Sequence, residues 1–153
     1  VEAVPLYLRL LAIDHENSVD PDMEDREILR VLAKKLRDKG ETTEFEKIYR
    51  ALIAVVEDDD PQLPGALPTD LTELAEFFRA TKRLTQAEPF YREAVKRWKE
   101  DYIHDDNNLA LGRFKLADCL RDLKKPTEAE PLYRSALWIF GSRTRKSTEF
   151  EQS

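Results

Sequence analysis

The chain of 153 residues holds one cysteine, one methionine, four glycines and two histidines. Each scarcity excludes something. Cys119 has no second thiol to pair with, so an intrachain disulfide framework is ruled out, and a reducing aqueous compartment, the cytoplasm by default, is expected. No apolar run approaches the roughly 20 residues that cross a bilayer, so no membrane span is expected. No signal peptide is visible, and a chain that opens at Val1 reads as an excised piece that can lack its targeting segment. Charge of one sign is also lacking. The net charge is −6, with acids and bases interleaved, which argues against nucleic acid or an anionic membrane as a partner. Convergent groups for catalysis are scarce. His15 and His104 have no Ser or Cys at a nucleophile's spacing and read as surface residues, while Cys119 in "LADCLR" reads as a packing residue. The expectation is a protein that is not an enzyme and carries no cofactor.

The acidic runs "DPDMED" (20–25), "EDDDP" (57–61) and "HDDNN" (104–108) lack the spacing and the glycine of a calcium loop, so no metal site is expected. They read instead as helix starts, with Asp20 and Asp70 as N-caps. "PQLPGALPTD" (61–70) holds three of the eight prolines and reads as an irregular link.

What the sequence does contain is 41% hydrophobic and 37% charged residues, a balance that suits amphipathic helices. It also contains itself several times over. "TQAEPFYREAV" at 85 returns as "TEAEPLYRSAL" at 127, and Tyr7, Tyr49, Tyr91 and Tyr133 stand 42 residues apart. A second ladder, "LAKKLR" from Leu32, "LAEFFR" from Leu74 and "LADCLR" from Leu116, keeps the same period.

Around the second ladder apolar residues recur at helical spacing: Leu29, Leu32, Ala33 and Leu36 make one stripe, and Leu71, Leu74, Ala75 and Phe78 make the next. These are the A helices. The B helices open at Thr43, Thr85 and Thr127, each followed three residues later by Glu46, Glu88 or Glu130, which reads as a capping box. Pro89 and Pro131 are assigned to the first turn. Arg50, Arg92 and Arg134 follow the same glutamates by four residues, in the orientation that favours a helical ion pair. Only a few residues ("DKGE", "KRL", "KKP") separate each A helix from its B helix, so each pair must form an antiparallel hairpin. Hairpins of this kind bury their apolar faces by stacking.

The Leu-Ala pair with a large apolar residue three positions on, and Ala-x-x-x-Tyr with a further Ala (Ala87, Tyr91, Ala94; Ala129, Tyr133, Ala136), resemble the tetratricopeptide repeat. The 42-residue unit with "AEPLYRSAL" is more specifically similar to the kinesin light chain type. The resemblance implies an all-α, right-handed α-solenoid of antiparallel hairpins: a domain over 1–141 with a leading helix B at 1–14 and repeats at 20–57, 69–101 and 105–141. Residues 142–153, without apolar periodicity, read as a flexible tail. Three positions depart from the pattern. Phe45 stands where the later repeats have Ala87 and Ala129, Arg113 stands where Leu29 and Leu71 are apolar, and the turn glycine survives only as Gly40.

Arg37, Arg79 and Arg121 form a ladder just after the large apolar position of helix A. Stacked guanidiniums could grip carboxylates along a bound peptide; equally, each could pair with Asp38, Asp118 or Asp122. By resemblance, the A helices line a concave groove for extended peptides, and Arg30, Lys34, Thr72, Glu76, Phe114 and Asp118 face it with the arginines. The Lys and Asn pattern of a chaperone-tail carboxylate clamp is absent. Two functions stay open: a module that binds a protein partner through an extended, acidic peptide segment, and a structural segment of a longer array that self-associates through uncapped ends.

Overall fold

The computed structural model describes residues 23–56, 66–100 and 106–150, with side chains over 26–54, 67–100 and 107–141. The expected leading helix at 1–14, both histidines and most of the acidic runs lie outside the described residues. Among those described there are six α-helices and no strand: α1 (Met23–Asp38), α2 (Thr42–Val56), α3 (Ala66–Ala80), α4 (Leu84–Glu100), α5 (Asp106–Asp122) and α6 (Pro126–Phe150). The chain divides at Asp70, inside α3, into two compact units.

In the first unit α1 packs on α2. Of the predicted stripe, Leu29, Ala33 and Leu36 are buried with Phe45, Ile48, Tyr49 and Leu52, while Leu32 is half-buried. Phe45, the bulky departure from the repeat, fills this core and stacks on Tyr49 at 4.7 Å. In the second unit Leu74, Ala75 and Phe78 of α3, Ala87, Tyr91 and Ala94 of α4, and Leu116, Ala117 and Leu120 of α5 are buried in the same register. Gly112 lets α5 approach α4 closely, because a Cβ there would meet Val95 Cγ2 at 3.3 Å. Arg113, at an apolar position of the repeat, donates to Ser135 Oγ at 2.6 Å.

Each hairpin turns in the same way. Gly40, Lys82 and Lys124 adopt left-handed φ of 83°, 63° and 63°. Their N–H groups donate to Arg37, Arg79 and Arg121 carbonyls, and the next N–H groups, of Glu41, Arg83 and Lys125, donate to Leu36, Phe78 and Leu120 carbonyls. This is the Schellman arrangement, and it satisfies carbonyls that the helix end leaves bare.

Several sequence expectations are corrected. The first carbonyls to accept helical bonds in the B helices are those of Glu41, Arg83 and Lys125. Thr43, Thr85 and Thr127 therefore sit one residue inside the helices rather than at the N-cap, and Glu46, Glu88 and Glu130 turn to Arg50, Arg92 and Arg134 at 3.0, 2.8 and 2.7 Å. Pro89 and Pro131 consequently lie within α4 and α6 beyond the first turn, each removing the donor for the carbonyl four residues earlier. The proline-rich link is helical from Ala66 onward, with Pro68 in the first turn where a missing N–H costs little. Asp70 is for that reason inside α3 and not its cap. The backbone of α6 continues to Phe150 through the segment read as a tail, which lacks apolar periodicity but holds no proline to stop a helix.

A lysine in the left-handed region is strained where glycine is not. Lys124→Gly should stabilise the protein by roughly 0.5–1 kcal/mol, and Gly40→Ala, which meets no atom within 4 Å, should destabilise it by a similar amount through backbone strain alone. Urea denaturation at equilibrium measures both.

Candidate functional site

The nine residues expected to line a groove divide between the two units. In the first, Arg30 is withdrawn from solvent by Asp70, whose carboxylate it grips with Nε and Nη2 at 2.8 Å each. Asp70 is fully buried, and Arg26, 2% exposed, adds a second guanidinium at 3.8 Å. Arg26 also donates to the Leu52 carbonyl at 3.4 Å. The hydrogen bond to Asp70 raises the Arg30 pKa against the opposing effect of burial. The pair ties α1 to Asp70, just past the first turn of α3. Arg37 pairs with Asp38 at 3.3 Å and lies over the Phe45 ring at 5.7 Å, and Lys34 is exposed.

In the second unit the structure brings Arg79, Asp118 and Arg121 together. Arg79 reaches from α3 to α5, with Nε 3.0 Å from Asp122 and Nη2 3.4 Å from Asp118. Arg121 lies 3.1 Å from Asp118 and 3.3 Å from Asp122. Tyr133 of α6 donates to Asp118 Oδ1 at 2.6 Å, accepts from Arg121 at 3.2 Å, and presents its ring to the edge of Phe114 at 5.4 Å. Burial works against the charge of Arg79, but the hydrogen bond to Asp122 and the charges of Asp118 and Asp122 outweigh it and raise its pKa. Burial likewise opposes the Asp122 carboxylate, and Arg79 and Arg121 together still hold its pKa below the ordinary value. Glu76 is taken up by Lys115, and Thr72 is half-buried. Asp38, Asp118 and Asp122, named from the sequence as the arginine ladder's alternative partners within the chain, all pair with it.

Sequence reasoning missed two features. Lys125 clasps Glu88 at 2.8 Å while Arg92 reaches both Glu88 and, at 2.6 Å, Glu128, tying α4 to the start of α6. The hydrogen bond from Lys125 is the main reason that the Glu88 pKa is lowered. The other is an apolar face on α6, where Leu137 and Trp138 are 63% and 74% exposed and Phe140 is exposed beside them. Cys119 is buried, its thiol 3.8 Å from the Leu84 carbonyl, and burial raises its pKa, as expected of a packing residue. Among the described residues no His, Cys, Asp and Glu side chains gather as metal ligands, and no helix is long and apolar enough to cross a membrane.

Comparison with known proteins finds likenesses to one repeat type. The tetratricopeptide repeat family model matches residues 69–140. Among solved structures, BtubC (BKLC) from P. vanneervenii is similar at 23% identity and a TM-score of 0.67, over 90% of this chain and 57% of that one. The chain thus spans little more than half the length of BtubC. A Podosopora anserina protein of kinesin light chain kind, with nearly identical TPR-like repeats, is similar in two crystal structures at 17% identity and a TM-score of 0.68, covering 94% of this chain and 68% of that one. These likenesses show the fold of an α-solenoid. A search of the curated proteins finds no match.

Asp70→Ala should cost about 3–5 kcal/mol, since it leaves Arg26 and Arg30 in their buried positions without the carboxylate that offsets their desolvation; urea denaturation measures the loss. A second expectation concerns acid. The pKa of Glu88 is lowered from its ordinary 4.5 by Lys125 and Arg92, so its pairing stabilises the fold fully above pH 4.5 and ceases to do so as pH falls through the lowered value. Lys125→Met should therefore be destabilising at neutral pH, with the difference from the native chain narrowing below pH 4.5 in a pH series of denaturation curves.

Proposed function

We propose, from the premise that this chain carries tetratricopeptide repeats over residues 69–140, that it is a protein-binding module without catalysis of its own. Repeats of this family mediate protein–protein interaction. The finer reading is that an extended peptide bearing acidic residues lies across the A helices α3 and α5, touching Thr72, Glu76, Arg79, Phe114, Asp118 and Arg121. The observation that carries it is the arginine, aspartate and tyrosine network of the second unit, which fixes two guanidiniums and the exposed Phe114 ring in place. Side chains already held rigid lose little freedom on binding, and Arg121, still exposed, keeps donors for a bidentate pair. Lys34 and Arg37 are the corresponding positions of the first repeat by register alone. Arg30, committed to Asp70, would act there as support. A reducing, cytoplasmic setting suits a chain with one buried thiol.

A second reading has its own observation. Val95 and Trp98 of α4 lie against Gly112 of α5, whereas their counterparts 42 residues on, Leu137 and Phe140 of α6, are exposed together with Trp138. A further hairpin, from this protein or another copy, would cover that face and extend the array.

The two readings separate in one set of experiments. Arg79→Gln with Arg121→Gln, checked for folding by circular dichroism, should weaken a captured partner at least roughly tenfold and abolish most of the salt dependence of its binding. Equal retention by both proteins would sink the groove. Concentration-dependent association in sedimentation velocity that vanishes in Trp138→Glu and ignores the arginines would favour the exposed α6 face instead.

A further inference from the structure

The third repeat contains a closed triad. Tyr133 donates to Asp118, and Arg121 holds the same carboxylate at 3.1 Å. Forty-two residues earlier the same three positions are Tyr91, Glu76 and Arg79. There the triad is open. Glu76 is drawn away by Lys115 of the neighbouring helix α5, and Arg79 is turned toward Asp118 and Asp122. The Tyr91 hydroxyl is left buried with no hydrogen-bond partner, on a residue only 1% exposed. A buried donor without an acceptor is costly, and native proteins leave few of them.

Tyr91 also lines a cleft of about 270 Å³ together with Glu76, Arg79, Ala80, Lys82 and Asp122, all in the second unit. That volume is below the roughly 300–1,000 Å³ of sites for whole small molecules and suits a single side chain. Donor capacity is what the lining has unspent. Glu76 is satisfied by Lys115, and Asp122 by Arg79 and Arg121. Arg79 uses Nε and Nη2 on the aspartates, leaving Nη1 for a ligand. Lys82, at the turn after α3, pairs with no described acid and offsets the negative end of the helix dipole.

We propose that this cleft receives one side-chain carboxylate of the bound peptide, which accepts from the Tyr91 hydroxyl between Arg79 and Lys82 and so supplies the acid that Asp118 supplies in the next repeat. The inference rests on the groove reading above and narrows it to one anchoring position. Burial, and secondarily the nearby Glu76, raise the Tyr91 phenol above its ordinary pKa, which keeps the hydroxyl protonated at neutral pH.

Three N-acetylated pentapeptides test it by chemical-shift titration of the ¹⁵N-labelled chain: one with a central glutamate and amidated C-terminus, one with glutamine in its place, and the glutamine peptide with a free C-terminal carboxylate. The glutamate peptide should shift Arg79, Lys82 and Tyr91 saturably, while the glutamine peptides should bind at least roughly tenfold more weakly. Tyr91→Phe should weaken the glutamate peptide by a similar factor. In the free protein Tyr91→Phe should leave the thermal midpoint unchanged or raised, since it deletes an unsatisfied hydroxyl, whereas Tyr133→Phe should lower it.

Equal melting losses for the two variants would mean that the Tyr91 hydroxyl is already satisfied, and would overturn the inference. So would indifference of binding to Tyr91→Phe, equal binding of either glutamine peptide, or no shift up to the solubility limit. Shifts on α3 and α5 that ignore Tyr91 would remove this anchor and leave the groove standing; shifts confined to other helices would remove both.

Discussion

Everything in this fold depends on reversing the chain within two residues at Gly40, Lys82 and Lys124. A left-handed residue at that point lets two N–H groups return to the last turn of helix A, so the helix ends satisfied and the next begins at once. With so short a link the partners can only be antiparallel neighbours, and the apolar stripe of one must meet that of the other. Phe78 meets Phe90 across such a turn at 5.6 Å, and Arg83, in the turn itself, lies over the Phe78 ring at 4.4 Å. Lysine in this role costs backbone strain, which the hairpin packing offsets.

The same residue type at the same repeat position meets different fates because its neighbours differ. Arg37 finds the adjacent Asp38 and the Phe45 ring, Arg79 finds acids on the following helix, and Arg121 finds Asp118 on its own helix. A charge on an A helix is thus partnered from its own hairpin or, for Arg79, from the next one. Exposed pairs such as Arg121 with Asp122 contribute little to stability; their effect is to hold a guanidinium in one geometry. The buried Arg26, Arg30 and Asp70 cluster is different in kind, since removing any one charge leaves the others desolvated.

What was legible in the sequence was local. Within the described residues, helices, hairpins and the Glu–Arg ladder follow from spacings of three, four and 42, because contacts three or four residues apart are geometrically obligatory in a helix. The site was only partly legible. Asp70 looked like a cap because a proline-rich stretch preceded it, yet Pro68 fits the first turn of a helix that begins at Ala66, and the true partner, Arg30, lies 40 residues away. The threonines looked like caps for a related reason: Thr-x-x-Glu is the same string whether the threonine is outside the helix or one residue inside. Only the carbonyls of Glu41, Arg83 and Lys125 decide. The clasp of Lys125 on Glu88 joins residues 37 apart, a separation no helical period suggests.

The repeat therefore builds the fold, and departures from it carry the chemistry. Perfect periodicity would give every B-helix tyrosine the environment of Tyr133, a hydroxyl satisfied by an acid on its own hairpin. Lys115 breaks that symmetry. Its counterpart one repeat earlier is Glu73, and the residue there in place of Glu76 is Lys34, so among the described residues Glu76 of the second repeat is drawn away by a cation on the following helix. One change of charge on α5 thus decides the hydrogen bonding of a tyrosine on α4, through a glutamate on α3. The three residues are separated in sequence and adjacent only in the folded repeat.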